Sequence, residues 1–189
     1  MELLRHIILL AMVLLLGACS GRSSNAFRDQ NMDFGVIQNV AVMPMANHTR
    51  EQSAGDRVRD VLFNKLLYTG GLYAVPLGEV KRGTMRAATA DATAPSPEEV
   101  VKLAGILKVD AIITGAVKEY GEVRSGNAVA NVISVSVQML ETQTGRIIWS
   151  ASSTKGGVGF SDRLLGGGGD PMNVITEKAI DEILDKLFI

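Results

Sequence analysis

The chain contains a single cysteine, Cys19, and this restricts how any fold of it can be stabilised. One thiol cannot form an internal disulfide, so the fold must depend on a hydrophobic core. Cys19 lies three residues after an apolar run, Ile7–Leu16, which Arg5 precedes. A permanent transmembrane helix needs about twenty apolar residues, more than this run provides. The pattern is typical of a signal-peptide core that is removed after export.

The residues Leu16, Gly17, Ala18 and Cys19 resemble the bacterial lipobox, in which small residues precede an acylated cysteine. The resemblance implies cleavage after Ala18 and attachment of diacylglyceryl and N-acyl groups to Cys19. Two or more acyl chains hold a protein stably on a membrane, whereas one chain binds only marginally. The same resemblance implies sorting to the outer membrane of a two-membrane bacterium, because Ser20 rather than Asp follows the cysteine. The alternative is an ordinary secretory signal that contains a cysteine.

These features divide the chain into three parts. Residues 1–18 are interpreted as a lipoprotein signal peptide, residues 19–35 as the acylated cysteine with a flexible tether, and residues 36–189 as one periplasmic domain. The tether assignment depends on Ser20–Phe34, which lacks helical or strand periodicity. With a formal net charge of −1 the chain has no excess of basic residues, and nucleic acid, which favours a basic face, is not expected as a partner.

The first half of the domain predicts a parallel crossover. Ile37–Met43 is an apolar strand, and Thr49 with Gln52 has the spacing of a capping box at a helix start. Val58, Val61, Leu62 and Leu66 give that helix one apolar face. Gly70 and Gly71 end it before a short strand at Leu72–Val75. A strand, a helix and a second strand in this order form a right-handed parallel unit.

The second half predicts two helices, a meander and a final helix. The helices are Gly78–Arg86 and one opened by Pro97, and a strand apolar on both faces follows at Val109–Val117. Beyond a turn at Gly121–Asn127, apolar residues alternate with Ser134, Ser136 and Gln138, which indicates a strand with one wet face. A last helix follows Asp170 as cap and Pro171. The predicted fold is α+β, a mixed sheet of one parallel βαβ crossover and an antiparallel meander, with helices packed against it and a C-terminal helix.

Three segments, Val40–Thr49, Val109–Glu119 and Val137–Ser150, resemble the CsgG/LpoB/TolB-N-terminal group of envelope proteins. The resemblance implies an anticodon-binding-domain-like fold, outer-membrane lipidation, and work through protein–protein contacts rather than catalysis. The leading hypothesis is therefore an envelope assembly or secretion accessory factor with a CsgG-like core. A pore-forming, CsgG-type curli secretion component and an LpoB-like activator of a peptidoglycan synthase are the alternatives. The predicted turns at Gly121–Asn127 and Gly156–Gly169 are short for membrane-crossing hairpins, which disfavours the pore.

Enzymatic activity is a separate hypothesis, and the sequence contains few candidate catalytic residues. Asn47, His48 and Thr49 follow the first strand, where open α/β sheets bind ligands. A ligand-binding or catalytic role for this loop stays a minor alternative, because Thr49 is explained as a helix cap and Asn47 as a loop residue. No metal-ligand spacing is present, and we expect no metal and no cofactor.

The glycine-rich stretch Gly156–Gly169 provides a candidate interface. Phe160, Leu164 and Leu165 are apolar residues in a segment where burial in a core is difficult to arrange. Trp149 alternates with Ile147 and Ala151, which predicts core packing rather than an interface. The expected partners are the membrane, through acyl chains on Cys19, and an envelope protein, and a homo-oligomer is left open.

Overall fold

The computed structural model of the chain describes residues 26–125, 128–157 and 169–188. The described part is an α+β fold with a mixed open sheet and a C-terminal helix. The strands are β1 (Ala26–Arg28), β2 (Asn39–Val42), β3 (Ala46–Asn47), β4 (Tyr73–Ala74), β5 (Ala111–Ser125), β6 (Ala128–Glu141) and β7 (Ile147–Gly156). The helices are α1 (Ala54–Thr69), α2 (Leu77–Ala87), α3 (Pro97–Leu107) and α4 (Met172–Asp185), and a 3-10 turn spans Phe34–Val36.

The sheet combines a parallel and an antiparallel half that meet at β5. The strand order is β1-β7-β6-β5-β2-β4, and the short β3 also pairs with β5. β2 runs parallel to β4 and to β5, which confirms the predicted crossover through α1. β5, β6 and β7 follow one another as antiparallel neighbours, which confirms the predicted meander, and β1 adds to the outer edge of β7. β5 therefore occupies the centre of the sheet, as its run of apolar residues predicts.

Each face of the sheet packs against two helices. On one face, α1 and α4 bury the apolar residues that their 3.6-residue periodicity predicts. This larger core contains Val58, Leu62, Leu66, Ile133, Val135, Trp149, Ile180 and Ile183. On the other face, α2 and α3 form a smaller core over Ala41, Met43 and Ile112. Trp149 is 1% exposed, which confirms its predicted role in core packing.

The N-terminal segment is part of the fold from Ala26 onwards. β1 pairs with β7, and the Arg28 guanidinium donates a hydrogen bond to the carbonyl of Leu187 at 2.9 Å. The same guanidinium carbon lies 3.8 Å from the centre of the Phe34 ring. Folded structure therefore begins within the segment 19–35 that was interpreted as a tether. A strand of three residues carries too little periodicity to be recognised from sequence.

Other boundaries also differ from the prediction. α1 begins after Ser53, so Thr49 is not its cap, and the cap residue of α4 is Pro171 rather than Asp170. β5 continues to Ser125 and β6 begins at Ala128, so most of the predicted turn at Gly121–Asn127 is strand. Glycine and charged residues in that stretch hide the strand period, although backbone pairing between the two strands is continuous except at one bulge after Val117.

A polar network fixes α4 to β7. Glu182 forms ion pairs with Lys155 and Lys186, and its carboxylate accepts a hydrogen bond from the buried Ser153 hydroxyl at 3.0 Å. Partial burial acts to raise the pKa of Glu182, but hydrogen bonds from Lys155, Lys186 and Ser153 outweigh burial and lower the pKa to about 2. The ionised carboxylate is thus stabilised in the folded state.

Glu182→Gln is expected to lower the melting temperature at neutral pH. The pKa of Glu182 falls from 4.5 to about 2 on folding, so its contribution is present above pH 4.5 and is lost as the pH falls towards 2. Thermal unfolding of both proteins across this range is the measurement. The gap between the two melting temperatures should narrow with falling pH, and a gap independent of pH would contradict the assignment.

Candidate interaction surface

Chemical clusters are sparse in the described part of the chain. No group of three His, Cys, Asp or Glu side chains that could hold a metal ion is present there.

Within residues 26–125, 128–157 and 169–188, no helix is both long and apolar enough to span a membrane.

The antiparallel half of the sheet leaves one face largely uncovered by helices. Directly paired residues of neighbouring strands point to the same face, and Ser136 of β6 pairs with both Ser152 of β7 and Ala116 of β5. Two residues along each strand, and therefore on the same face, Ser150 of β7 pairs with both Gln138 of β6 and Phe27 of β1. The resulting surface, which we call the open face, consists of Phe27, Ala116, Ser134, Ser136, Gln138, Ser150, Ser152 and Thr154.

The open face is mainly small and hydroxylated. Its serines are half-buried, Gln138 and Thr154 are exposed, and the Thr154 hydroxyl donates to the Ser134 hydroxyl at 3.0 Å. Phe27 is the large apolar residue on this surface and is 50% exposed. Beside the helices, the loop around Ala94 and Pro95 reaches Thr114 and Ser136 and closes a cleft of about 290 Å³.

The loop after β3 is organised by the Asn47 side chain. Its amide nitrogen donates to the carbonyls of Glu51 and Gln52 at 2.8 and 3.2 Å. Its amide oxygen accepts from the N–H and the hydroxyl of Thr49 at 3.0 and 2.8 Å. The polar groups of Asn47 and Thr49 therefore hold the loop in shape, which leaves His48 as the exposed member of the predicted ligand loop.

Two charged residues support the same region. Hydrogen bonds from the Ser53 hydroxyl and N–H, at 2.6 and 3.3 Å, lower the pKa of the Glu51 carboxyl. Arg59 of α1 donates through Nε and Nη2 to the carbonyl of Val42 at 3.1 and 2.6 Å. Burial lowers the pKa of Arg59, with the carboxylates of Asp56 and Asp60 acting in the opposite direction. The first contact lies within the loop before α1, and the second holds α1 against the end of β2.

The β5–β6 hairpin extends beyond the paired end of β3, and we call this part of it the arm (residues 118–125 and 128–134). Between the arm and the loop after β3 lies a cleft of about 490 Å³. It is lined on the loop side by His48, Thr49, Arg50 and Glu51, and on the arm side by Lys118, Glu119, Tyr120, Gly121, Glu122, Val123 and Val132. The structure thus brings His48 to a groove beside an exposed strand.

The other predicted site residues lie outside the described residues. These are the lipobox residues Leu16, Gly17, Ala18 and Cys19, and the candidate interface residues Phe160, Leu164 and Leu165. Their roles stay predictions. The alternation of Ser134, Ser136 and Gln138 did indicate a wet strand face, whereas the arm carries no comparable signal.

The comparisons with known proteins find likeness in fold. No family model matches the sequence, and no curated protein sequence matches it. The structure is similar to the PelC dodecamer protein of Paraburkholderia phytofirmans, with a TM-score of 0.56 and 18% identity over 85% of this chain and 95% of that one. Lipoprotein GNA1162 of Neisseria meningitidis has a TM-score of 0.52 and 22% identity, over 68% of this chain and 90% of that one.

A third similar structure bears on the resemblance found in the sequence. The LpoB C-terminal domain of Salmonella enterica has a TM-score of 0.50 and 16% identity, over 67% of this chain and 87% of that one. Because the three sequence identities are all below 25%, the likeness shows a shared fold and nothing more. The sequence resemblance named LpoB among other envelope proteins, and the LpoB C-terminal domain has a fold similar to that of this chain.

Asn47→Ala is expected to release the loop after β3 and to destabilise the protein by about 1–2 kcal/mol, because its hydrogen bonds to Thr49, Glu51 and Gln52 are lost. Amide exchange across residues 48–53 should accelerate. His48→Ala is the matched control, since that side chain is exposed, and it should leave exchange and stability unchanged. Equal behaviour of the two variants would refute the role assigned to Asn47.

Proposed function

We propose that this chain is an outer-membrane lipoprotein that works as an accessory factor of the bacterial envelope through protein–protein contacts. Acyl chains on Cys19 hold it at the membrane, and the folded domain faces the periplasm. The lipobox-like Leu16–Cys19 segment supports the anchor. The likeness in fold to lipoprotein GNA1162 and to the LpoB C-terminal domain supports the accessory role.

The open face is the observation that carries this proposal. α1 and α4 cover the other face of the sheet, whereas this face presents half-buried serines and the exposed Gln138 and Phe27 over three antiparallel strands. Small hydroxylated side chains give a flat surface that a second protein can approach closely and bond through hydroxyl groups. This surface and the likeness in fold to lipoprotein GNA1162 and to the LpoB C-terminal domain support a binding protein rather than an enzyme.

The anchor keeps this surface near the membrane. Cys19 and Ala26 are separated by seven residues, which span at most roughly 25 Å when fully extended. Ala26 lies in β1, at the edge of the sheet that carries Phe27. The open face is therefore available to partners within a short distance of the bilayer.

Two further roles have support of their own. The similar PelC protein forms a dodecamer, which favours self-association of this chain as a second candidate. The fold likeness to LpoB favours activation of a peptidoglycan synthase as the specific accessory role. A CsgG-type pore is less favoured, because the paired residues of the arm place Glu119 on one face of the ribbon and Glu122 and Arg124 on the other.

Cys19→Ser is expected to move the protein from the membrane fraction to the soluble periplasmic fraction, because the acylated thiol is removed. Fractionation of cells and intact-mass measurement of the purified chain are the readouts. Ser20→Ala, which leaves the thiol in place, is the matched control and should stay acylated and membrane-bound. Membrane association of Cys19→Ser, or absence of acyl mass on the unaltered chain, would contradict the proposal.

A further inference from the structure

One edge of β5 lacks a strand partner along the arm. β2 pairs with this edge at Ala111–Ile113, and β3 pairs with it at Ala116 and Val117. The chain leaves the edge at His48, whose N–H donates to the carbonyl of Val117 at 2.9 Å. From Glu119 to Val123, after the bulge at Lys118, β6 pairs with the opposite edge, and no other described strand runs beside this one.

This edge lies along the groove of about 490 Å³ between the arm and the loop after β3. The loop wall is already in place, because Asn47 bonds Thr49, Glu51 and Gln52. A Cβ atom on Gly121 would meet nothing within 4 Å, so the groove is open at that point. Beyond Asn47, where β3 ends, the groove therefore occupies the position beside β5 that a longer β3 would fill.

Backbone chemistry identifies what this groove can bind. A strand edge presents N–H and C=O groups in alternation, and an extended polypeptide satisfies them by adding as a further strand. The groove also offers apolar contact at Val123, which is 38% exposed, and at the half-buried Val132. Charges of both signs border it, with Arg50 and Lys118 opposed by Glu119 and Glu122. This mixture matches a polypeptide rather than a polymer of one charge.

We propose that the β5 edge from Lys118 to Val123 binds an extended segment of a partner protein by strand addition, in the groove walled by His48–Glu51. The inference rests on the proposed function and names the site at which the protein contact is made. The charged side chains and the bulge after Val117 disfavour indiscriminate pairing of such an edge. The groove therefore selects partners by their side chains as well as by their backbone.

The other sheet edges are weaker candidates. The outer strands β4 and β1 contain 2 and 3 residues. β7 continues past β1 only from Ser152 to Gly156, and the Ser152 carbonyl already accepts a hydrogen bond from Lys186 at 3.0 Å. An added strand gains affinity from consecutive main-chain hydrogen bonds, so edges of this length provide little. The arm edge is longer and is bordered by a wall.

The test uses full-length acylated protein in detergent and peptides selected on it from a random display library. Bound peptides should slow amide exchange in Lys118–Val123. Val123→Lys, at the groove, should weaken their binding by about tenfold or more. Val101→Lys, at a valine of similar exposure on α3, is the matched control and should bind as the unaltered protein does. Circular dichroism of both variants verifies that they fold.

N-methylation of alternate peptide residues separates backbone recognition from side-chain contact. Methyl groups on the residues whose N–H faces β5 should abolish binding, and those on the other residues should not. Tolerance at every position, equal binding to Val123→Lys, or failure to select any peptide would overturn the inference. Slow exchange that depends on protein concentration without peptide would also overturn it, because a second copy would then occupy the edge.

The intact mass of the purified protein, which shows whether acyl chains are attached, distinguishes failure of the strand-addition site from failure of the proposed function. Acylated protein that binds no peptide at the arm overturns only the strand-addition site. Protein without acyl mass overturns the lipid anchor, whatever the groove binds.

Discussion

Pairing of β5 on both of its edges is the interaction on which the rest of the structure depends. Its first half, Ala111–Val117, bonds β2 and β3 on one edge and β6 on the other. Apolar residues on its two faces enter the two cores, with Ile113 under α1 and Ile112 under the α2–α3 layer. The parallel crossover and the antiparallel meander are joined through this one strand. Both cores therefore depend on β5, and the described residues contain no disulfide that could replace its pairing.

The exposed surfaces arise because the helices cover the two faces of the sheet around β5 to different extents. α1 and α4 cover one face of the sheet from β2 to β7, while α2 and α3 pack mainly beside β2 and the start of β5. The remaining sheet presents small hydroxylated residues to solvent. β5 and β6 also continue as the arm past the point where β3 ends, since their pairing persists there. The proposed binding surfaces are therefore the parts of the sheet that the helices leave uncovered.

The sequence predicts those parts of the fold that bury a periodic apolar pattern. Val135, Val137 and Met139 alternate with polar residues and lie in the core as expected. Gly70 ends α1 with a φ of 65°, the left-handed conformation that a glycine adopts easily. Ser96 and Glu99 form a capping box at the start of α3, where Pro97 marks the first turn.

Features that depend on contacts distant in sequence were not predictable. Thr49 has the spacing of a cap, but its hydroxyl bonds Asn47, and α1 starts after Ser53 instead. β1 exists because β7 provides an edge and Arg28 reaches Leu187. The arm is paired across its two strands and buries Ala130 and Ile133, but the charged residues and Gly121 of its β5 strand suggest a turn. The groove at His48 follows from these contacts and has no sequence signal.

The uncovered sheet is proposed to bind another protein. Photocrosslinking in intact cells tests it most directly, with a photoreactive residue placed at Ser152 on the open face or at Glu122 on the arm. Tyr68 on α1, which is 90% exposed, is the reference position. The account predicts a discrete crosslinked polypeptide from Ser152 or Glu122 and none from Tyr68. Absence of any adduct at both uncovered positions, or an adduct from Tyr68 alone, would contradict it.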